Sequence, residues 1–374
     1  LAASEARRFR HNAAVTERDQ DPGAASGRSI DAPNRRVTMR DVADSAGVSL
    51  STVSRVLNKS SSIISVSEET KARIERSADQ LGFRPNPFAR ALRGAPTMLL
   101  GVIVRDFSDP FFAGAIEALA VEAHARGYGI VLGHVQDSND DGEAARAVLA
   151  PRHCDAIIVL GEMGDRPRLR EALSVADVPV VAAWQGGSPI YFPTVDVDDN
   201  TGVAIGMQHL ADLGHRRIGM VSARLPGDNP TREQCYLDFM QEHIGGMTDG
   251  YLQRCENTLA GGELALEAML ALATVPTAVV CSTDVAAVGV LHGAFSRNVK
   301  VPDDLSVVGY DDLMLAAFTN PALTTLRMPT TEIVTKAVES AIALAKDPTL
   351  PRGPSRTPYQ PSLTVRASTA ACSD

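Results

Sequence analysis

Seven short apolar runs recur beyond residue 96: "MLLGVIV", "GIVLGHV", "DAIIVLG", "PVVAAW", "RIGMVSA", "AVVCSTD" and "SVVGYDD". Stretches such as "FAGAIEALAVEAHARG" and "TGVAIGMQHL" lie between them with helical spacing. Runs with almost no polar alternation predict strands covered on both faces, and that happens in parallel sheets flanked by helices. The runs come as two series. They predict two doubly wound α/β subdomains with a cleft between them, where the carboxyl ends of the strands bind ligands. The tail after Lys346 is proline-rich, and "SLTVRAS" reads as one last strand.

The segment before these runs has a different character. From Arg35 to Gly94 there are eleven Lys and Arg against six Asp and Glu, in a chain whose net charge is -9. A basic module is therefore joined to a strongly acidic body, which points to an anionic partner for the module alone. Thr38 with Asp41 forms a capping-box start, and Ser67 followed by Glu68 and Glu69 starts another helix that stops at Gly82. Between them, "VADSAGVSLSTVSRVLN" sets two short helical segments about Gly47, with Val42, Val48, Val53 and Leu57 available for a small core. The second segment opens with Ser49, Ser51, Thr52 and Ser54 and carries Arg55 near its end. Short polar side chains let a helix backbone enter the major groove, where hydroxyls meet phosphates and an arginine can hold guanine with two hydrogen bonds. This is helix-turn-helix chemistry, against which stands a plain helical hairpin with a solvated Ser/Thr face.

"VTMRDVADSAGVSLSTVSRVLN" resembles the headpiece of the lactose/galactose repressor family. "FRPNPFARALRG" is similar to the family's hinge, and "DLSVVGYDD" and "NPALTTLRMP" to its core. The likeness runs from about Val37 to Thr369. It implies a small all-α headpiece joined to a periplasmic-binding-protein-like α/β core. The division is then a disordered tail at 1–36, headpiece at 37–84, hinge helix and linker at 85–96, core at 97–369 and tail at 370–374. One subdomain takes 97–197 with 328–346, the other 198–324 with 350–368. Carried onto this sequence, the resemblance puts Leu50, Ser51 and Arg55 on base edges and Thr38, Ser49, Thr52, Ser54 and Asn58 on phosphates. Leu92 takes the hinge position whose leucine opens a minor-groove step, in a segment, 88–93, that becomes helical on the operator. The connection "NKSSSIISVS" is about three residues longer than usual for the family, a change that costs little.

In the core, the resemblance gives Asp109 a hydrogen-bonding role, Phe111 or Phe112 a stacking role, and Asp284 the role of ligand-binding acid. Two positions depart from it. Trp184 and Gln185 stand where sugar readers keep an aspartate, and Cys235 stands where an arginine is expected, with Arg232 three residues earlier. The loss of an acid and a cation predicts an effector other than a simple sugar, with a broad apolar face for Trp184.

The implied protein is a DNA-binding transcriptional regulator, a repressor, that forms a homodimer on a near-palindromic double-stranded operator and responds to a small effector. The ending at Asp374 without leucine heptads favours dimers over tetramers. No cofactor or metal is expected. GxSxG, HExxH, GxxxxGK[ST] and GxGxxG are absent, which argues against an enzyme. The carboxylates at Asp196 to Asn200 suit a loop and helix cap, and His215 suits packing. Five scattered cysteines without CxxC spacing predict reduced thiols, and N-terminal arginines without an apolar stretch after them predict a cytoplasmic protein. The rival is a solute-binding protein with the same core and no transcriptional role, which the basic module disfavours.

Overall fold

The computed structural model describes residues 37–57, 66–83, 96–134, 153–162, 166–224 and 228–373. Leu1–Pro85 and Asn86–Asp374 form two separate compact units.

The first unit holds α1 (Met39–Ala46), α2 (Leu50–Leu57) and α3 (Glu68–Gln80). Thr38 and Asp41 close the capping box, each side chain meeting the other's backbone N–H. Gly47 ends α1 at φ 64°, a left-handed turn that glycine adopts without a Cβ penalty. The turn brings α2 across α1, so that Val42, Ala43, Ala46 and Val53 bury against Ile74, Ala78 and Phe83. Val48 and Leu57, expected in this core, lie at its edge and are partly buried. Arg73 Nε donates to Ala46 O at 3.0 Å, which satisfies a carbonyl that α1 leaves open.

The second unit opens with β1 (Leu99–Val104), α4 (Pro110–Ala125), β2 (Gly129–His134), β3 (Ala156–Leu160), α5 (Pro167–Ser174), β4 (Val180–Ala183) and β5 (Pro193–Val197). It continues through α6 (Asp199–Asp212), β6 (Ile218–Ala223), α7 (Asp228–Phe239), β7 (Leu252–Cys255), α8 (Leu259–Leu270), β8 (Ala278–Cys281) and α9 (Asp284–Ser296). The chain closes with β9 (Ser306–Asp311), β10 (Thr324–Arg327), α10 (Thr330–Lys346), β11 (Ser355–Tyr359) and β12 (Ser362–Thr364). Two six-stranded sheets result, in the orders β11-β5-β4-β3-β1-β2 and β12-β10-β9-β8-β6-β7. Only β12 runs antiparallel to its neighbour among the described pairs. In each sheet the order reverses beside the first strand, so a crevice opens at the carboxyl ends of β1 and β3 and again at those of β6 and β8.

The chain crosses between sheets three times, after β5, after β10 and after β11. The third crossing corrects an expected boundary. Residues 350–368 do not all join the second subdomain: Ser355–Tyr359 pairs with β5 in the first sheet and Ser362–Thr364 with β10 in the second. The carboxylate-rich "DVDDN" divides likewise. Asp196 lies buried within β5, and Asp198 caps α6 by accepting from Thr201 N at 3.1 Å. His215 packs as expected, its ring nitrogens 3.0 Å from the hydroxyls of Thr277 and Ser306.

Candidate DNA interface and effector cleft

In α2 only Val53 is fully buried, so the helix turns its other side outward. Ser51 and Arg55 are four residues apart and therefore share a face, one turn above the other. Leu50 beside them is 44 % exposed, although leucine normally seeks a core. The hydroxyls at the helix start have work within the fold. Ser49 Oγ accepts from Thr52 N at 3.2 Å and sits 2.8 Å from the hydroxyls of both Ser51 and Thr52. Thr38, assigned to a phosphate by resemblance, is the cap of α1. Ser54 is half-buried. Asn58 and Leu92, with the hinge segment 88–93 and the loop 59–65, lie outside the described residues.

In the second unit, Asp109 caps α4 by accepting from Phe111 N at 3.0 Å, and it is nearly buried. Its other oxygen accepts from Asn257 Nδ2 at 3.4 Å, a bond that joins the two subdomains. Asn257 is held in turn by the Thr283 hydroxyl, which donates to its Oδ1 at 2.8 Å. Burial raises the Asp109 carboxyl above its ordinary value, opposed by the Phe111 N–H and by Arg105. Phe111 stands edge-on to Trp184, with centroids 5.2 Å apart, and edge-on to Phe112 at 5.4 Å. Phe112 belongs to the main core. Trp184 is buried, holds a left-handed φ of 55°, and its Nε1–H meets no acceptor among the described residues. A tryptophan in that conformation is strained, as residues at binding sites often are.

Across the cleft, Arg232 is the buried cation. Its Nε donates to Asp199 Oδ1 at 2.8 Å and its Nη1 to Ser282 O at 2.6 Å, and the guanidinium lies 3.9 Å over the Tyr310 ring. Tyr310 OH donates to the same Asp199 oxygen at 3.0 Å. Asp311, at φ 120° where β9 ends, completes the group. Burial pushes its carboxyl well up, Asp284 and Asp109 push it further, and Arg232 opposes them.

Three assigned residues are turned to the fold's own use. Asp284 is fully buried with both oxygens engaged, accepting from Leu313 N at 2.7 Å and the Thr325 hydroxyl at 2.5 Å. It ties the loop after β9 to the start of α9, and Asp311 is a second acid near Arg232, besides Asp199. The amide of Gln185 donates to Gly161 O at 2.6 Å and bridges the ends of β3 and β4. Cys235 lies on the α6–α7 seam, where its thiol donates to Asn200 Oδ1 at 2.7 Å and burial pushes it up to about 11. Arg232, three residues before Cys235, keeps a cation in the interior, where Asp199 and Ser282 O engage its Nε and Nη1. Sequence reasoning left Arg105, Asn257 and Asp311 unassigned and named Arg232 only as a cation that could stand in for the arginine missing at Cys235. Asp311 carried a signal, since it stands in the quoted "GYDD", whereas nothing in the local pattern marked Arg105 or Asn257.

Among the described residues no group of three or more His, Cys, Asp or Glu is placed to hold a metal ion. Nor is any helix among them long and apolar enough to cross a membrane.

Comparison with known proteins matches residues 38–86 to "Bacterial regulatory proteins, lacI family" and 207–369 to "Periplasmic binding protein-like domain". The HTH-type transcriptional repressor CytR of Escherichia coli (strain K12) is 33% identical over 309 residues, 80% of this chain and 87% of that protein. The HTH-type transcriptional regulator GalR of the same strain is 31% identical over 316 residues, 84% of this chain and 91% of its own length. Among solved structures, the lac repressor dimer bound to operator and the anti-inducer ONPF superposes with a TM-score of 0.79 at 24% identity, covering 90% of this chain and all of that one, a likeness of fold. The transcriptional regulator CelR in complex with cellobiose gives 0.65 at 28% identity, covering 89% of this chain and 100% of its own. A headpiece with an outward-facing α2, a two-sheet body with charged groups in its cleft, and relatives matched over four fifths of the chain lead to one assignment: the chain is a DNA-binding transcriptional regulator of the lacI family.

Proposed function

We propose that this regulator is a repressor that binds a near-palindromic operator as a homodimer and changes its affinity for it when a small polar effector enters the cleft of the body. The observation that carries this reading is the outer face of α2, where Leu50 and Ser51 are exposed and Arg55, one turn from Ser51, is only half-buried. Arginine and serine there can read base edges, and two such helices related by a two-fold axis read two half-sites. The acidic body favours contact with DNA through the headpieces alone. Repression is supported by the relative named a repressor, and a small-molecule effector by the 28%-identical regulator solved with cellobiose. In the cleft, Asp109, Phe111 and Trp184 face the effector from the first subdomain, and Asn257, Arg232 and Asp311 from the second. A ligand held by both sides shifts how the subdomains close, which is how it reaches DNA affinity. The site of action is the cytoplasm, where the operator lies.

Selection of duplexes from a randomised pool by the full-length chain, followed by footprinting, tests the reading. Enrichment of a two-fold related sequence is expected. Binding without sequence enrichment would remove the regulator's specificity, and a footprint over a single half-site would remove the dimer.

A further inference from the structure

We propose that the effector carries an oxyanion, a carboxylate or a phosphoryl group, and that Arg105 at the end of β1 is the residue that recognises it, with the indole N–H of Trp184 as a second donor. This rests on the effector-binding reading of the cleft. Arg105 follows the last residue of β1, beside β3, where the strand order of the first sheet reverses and ligands of such sheets bind. Its side chain is only 8% exposed. A guanidinium carries five N–H donors and keeps its charge at any physiological pH, so burial demands acceptors. Arg105 lacks them. Its nearest carboxylate, Asp109, stands at 3.9 Å, beyond hydrogen-bonding range, and that carboxylate is already engaged by Phe111 N and Asn257 Nδ2. Nη1 has no hydrogen-bond partner among the described residues.

The second donor flanks the same aromatic pair. The Arg105 guanidinium lies 5.0 Å over the Phe112 ring, Phe112 meets Phe111, and Phe111 meets Trp184, whose Nε1–H is also unpartnered and buried. Between the two strand ends carrying these donors is Gly161, at the end of β3. A Cβ there would come within 2.8 Å of the Phe112 ring and 3.1 Å of the Arg105 Cβ, so the glycine makes room for the stacked pair. Stacking fixes the guanidinium plane, and a fixed planar fork selects an oxyanion, which it can grip with two hydrogen bonds. Phe111, half-buried at the cleft, offers an apolar edge to the body of the ligand. The resulting class is a small organic anion with a ring or other apolar face.

Calorimetry on the full-length chain with matched pairs tests this: glucose 6-phosphate against glucose and benzoate against benzamide, with inorganic phosphate alone as a further probe. At least one anion is expected to bind about tenfold or more tightly than its neutral partner, the span of a charge-assisted hydrogen bond. The pair that shows it distinguishes phosphoryl from carboxylate. Arg105→Gln should erase the preference and Arg105→Lys should keep part of it. Trp184→Phe, which retains the ring contact with Phe111, should weaken the anion several-fold more than it weakens the neutral partner. Equal binding within every pair, binding of neither member of any pair, or a preference that survives in Arg105→Gln would each overturn the proposal. If Arg105→Gln fails to fold by circular dichroism, the Trp184→Phe comparison decides. Operator selection by the same wild-type preparation separates the outcomes, because loss of sequence-specific DNA binding strikes the regulator reading and leaves the anion preference to be measured by itself.

Discussion

Arg55 and Ser51 stand one turn apart on the outer face of α2, Ser51 exposed and Arg55 half-buried. Replacing Arg55 with alanine is expected to cost about 1–3 kcal/mol of operator binding and to relax the preference at one base per half-site. Anisotropy titrations against single-base operator variants measure both. A uniform loss on every variant would make Arg55 a phosphate contact instead. Asp196 poses a different residue-level problem. It is fully buried in β5, 3.6 Å from Arg356 of β11, and one of its oxygens lacks a hydrogen-bond partner among the described residues. Burial outweighs the neighbouring cation and pushes the carboxyl from 3.8 up to about 6. The folded state thus holds this proton more tightly than the unfolded chain does. Its stabilising contribution is complete below pH 3.8 and is lost as the pH rises through about 6. Asp196→Asn, which removes the charge, should be more stable than the wild type by about 2–3 kcal/mol above pH 7 and no more stable at pH 4. Urea unfolding of both proteins between these limits would show it, and a gap that does not change with pH would refute the burial argument.

At the scale of elements, two features position the cleft. One is the contact of α8 with α9, where Gly289 lets the helices approach so closely that a Cβ would overlap Leu259 O. Gly289→Ala must therefore push the helices apart and should cost about 1–3 kcal/mol, read as a lower thermal midpoint. Gly353→Ala, at a position open to space, is the control and should be near neutral. The other feature is the end of β9, where Asp312 accepts from Arg327 Nε and Arg366 Nη2, both at 2.6 Å. These partners lie at the end of β10 and beyond β12, so one carboxylate ties three segments below the acid pair Asp284 and Asp311. The two arginines hold its carboxyl below the ordinary range even against partial burial. Because that value is depressed, the stabilisation is present at neutral pH and fades as the pH falls through the acid range.

For the whole molecule, the basic segment from Arg35 to Gly94 set against the acidic remainder concentrates DNA affinity in one part of each chain. Binding should then weaken steeply with salt, as phosphate contacts require. If two headpieces are coupled through a dimer, moving the half-sites apart by about five base pairs, half a helical turn, turns one of them away from its groove. Affinity for the altered operator is expected to fall toward that of a single half-site, whereas addition of a full turn should restore part of it. Competition binding on such a spacing series measures this, and affinity indifferent to spacing would mean the headpieces bind independently.

How much of this was legible in the sequence varies with the range of the interaction involved. The capping box at Thr38 and Asp41, the turn at Gly47 and the core residues Val42 and Val53 follow from chemistry within a few positions, and they stand in the structure as read. The seven apolar runs were legible for the same reason, since a strand covered on both faces shows its burial in its own composition. The strands β5, β7, β10 and β11 were not read, because "PTVDV", "LQRC", "TTLR" and "SRTPY" are short and mixed in polarity, and pairing with a neighbour holds them extended. The cleft depended most on long-range packing. Asp284 resembled a ligand-binding acid until Leu313 N and the Thr325 hydroxyl took its oxygens. Arg232 became the buried cation only because Asp199, 33 positions away at the start of α6, meets its Nε. Local sequence determined the elements and the reading face of α2. Tertiary structure decided which polar atoms the fold consumes and which, as Arg105 Nη1 and Trp184 Nε1, find no partner among the described residues, because hydrogen-bond satisfaction in a buried site is settled by residues remote in the chain.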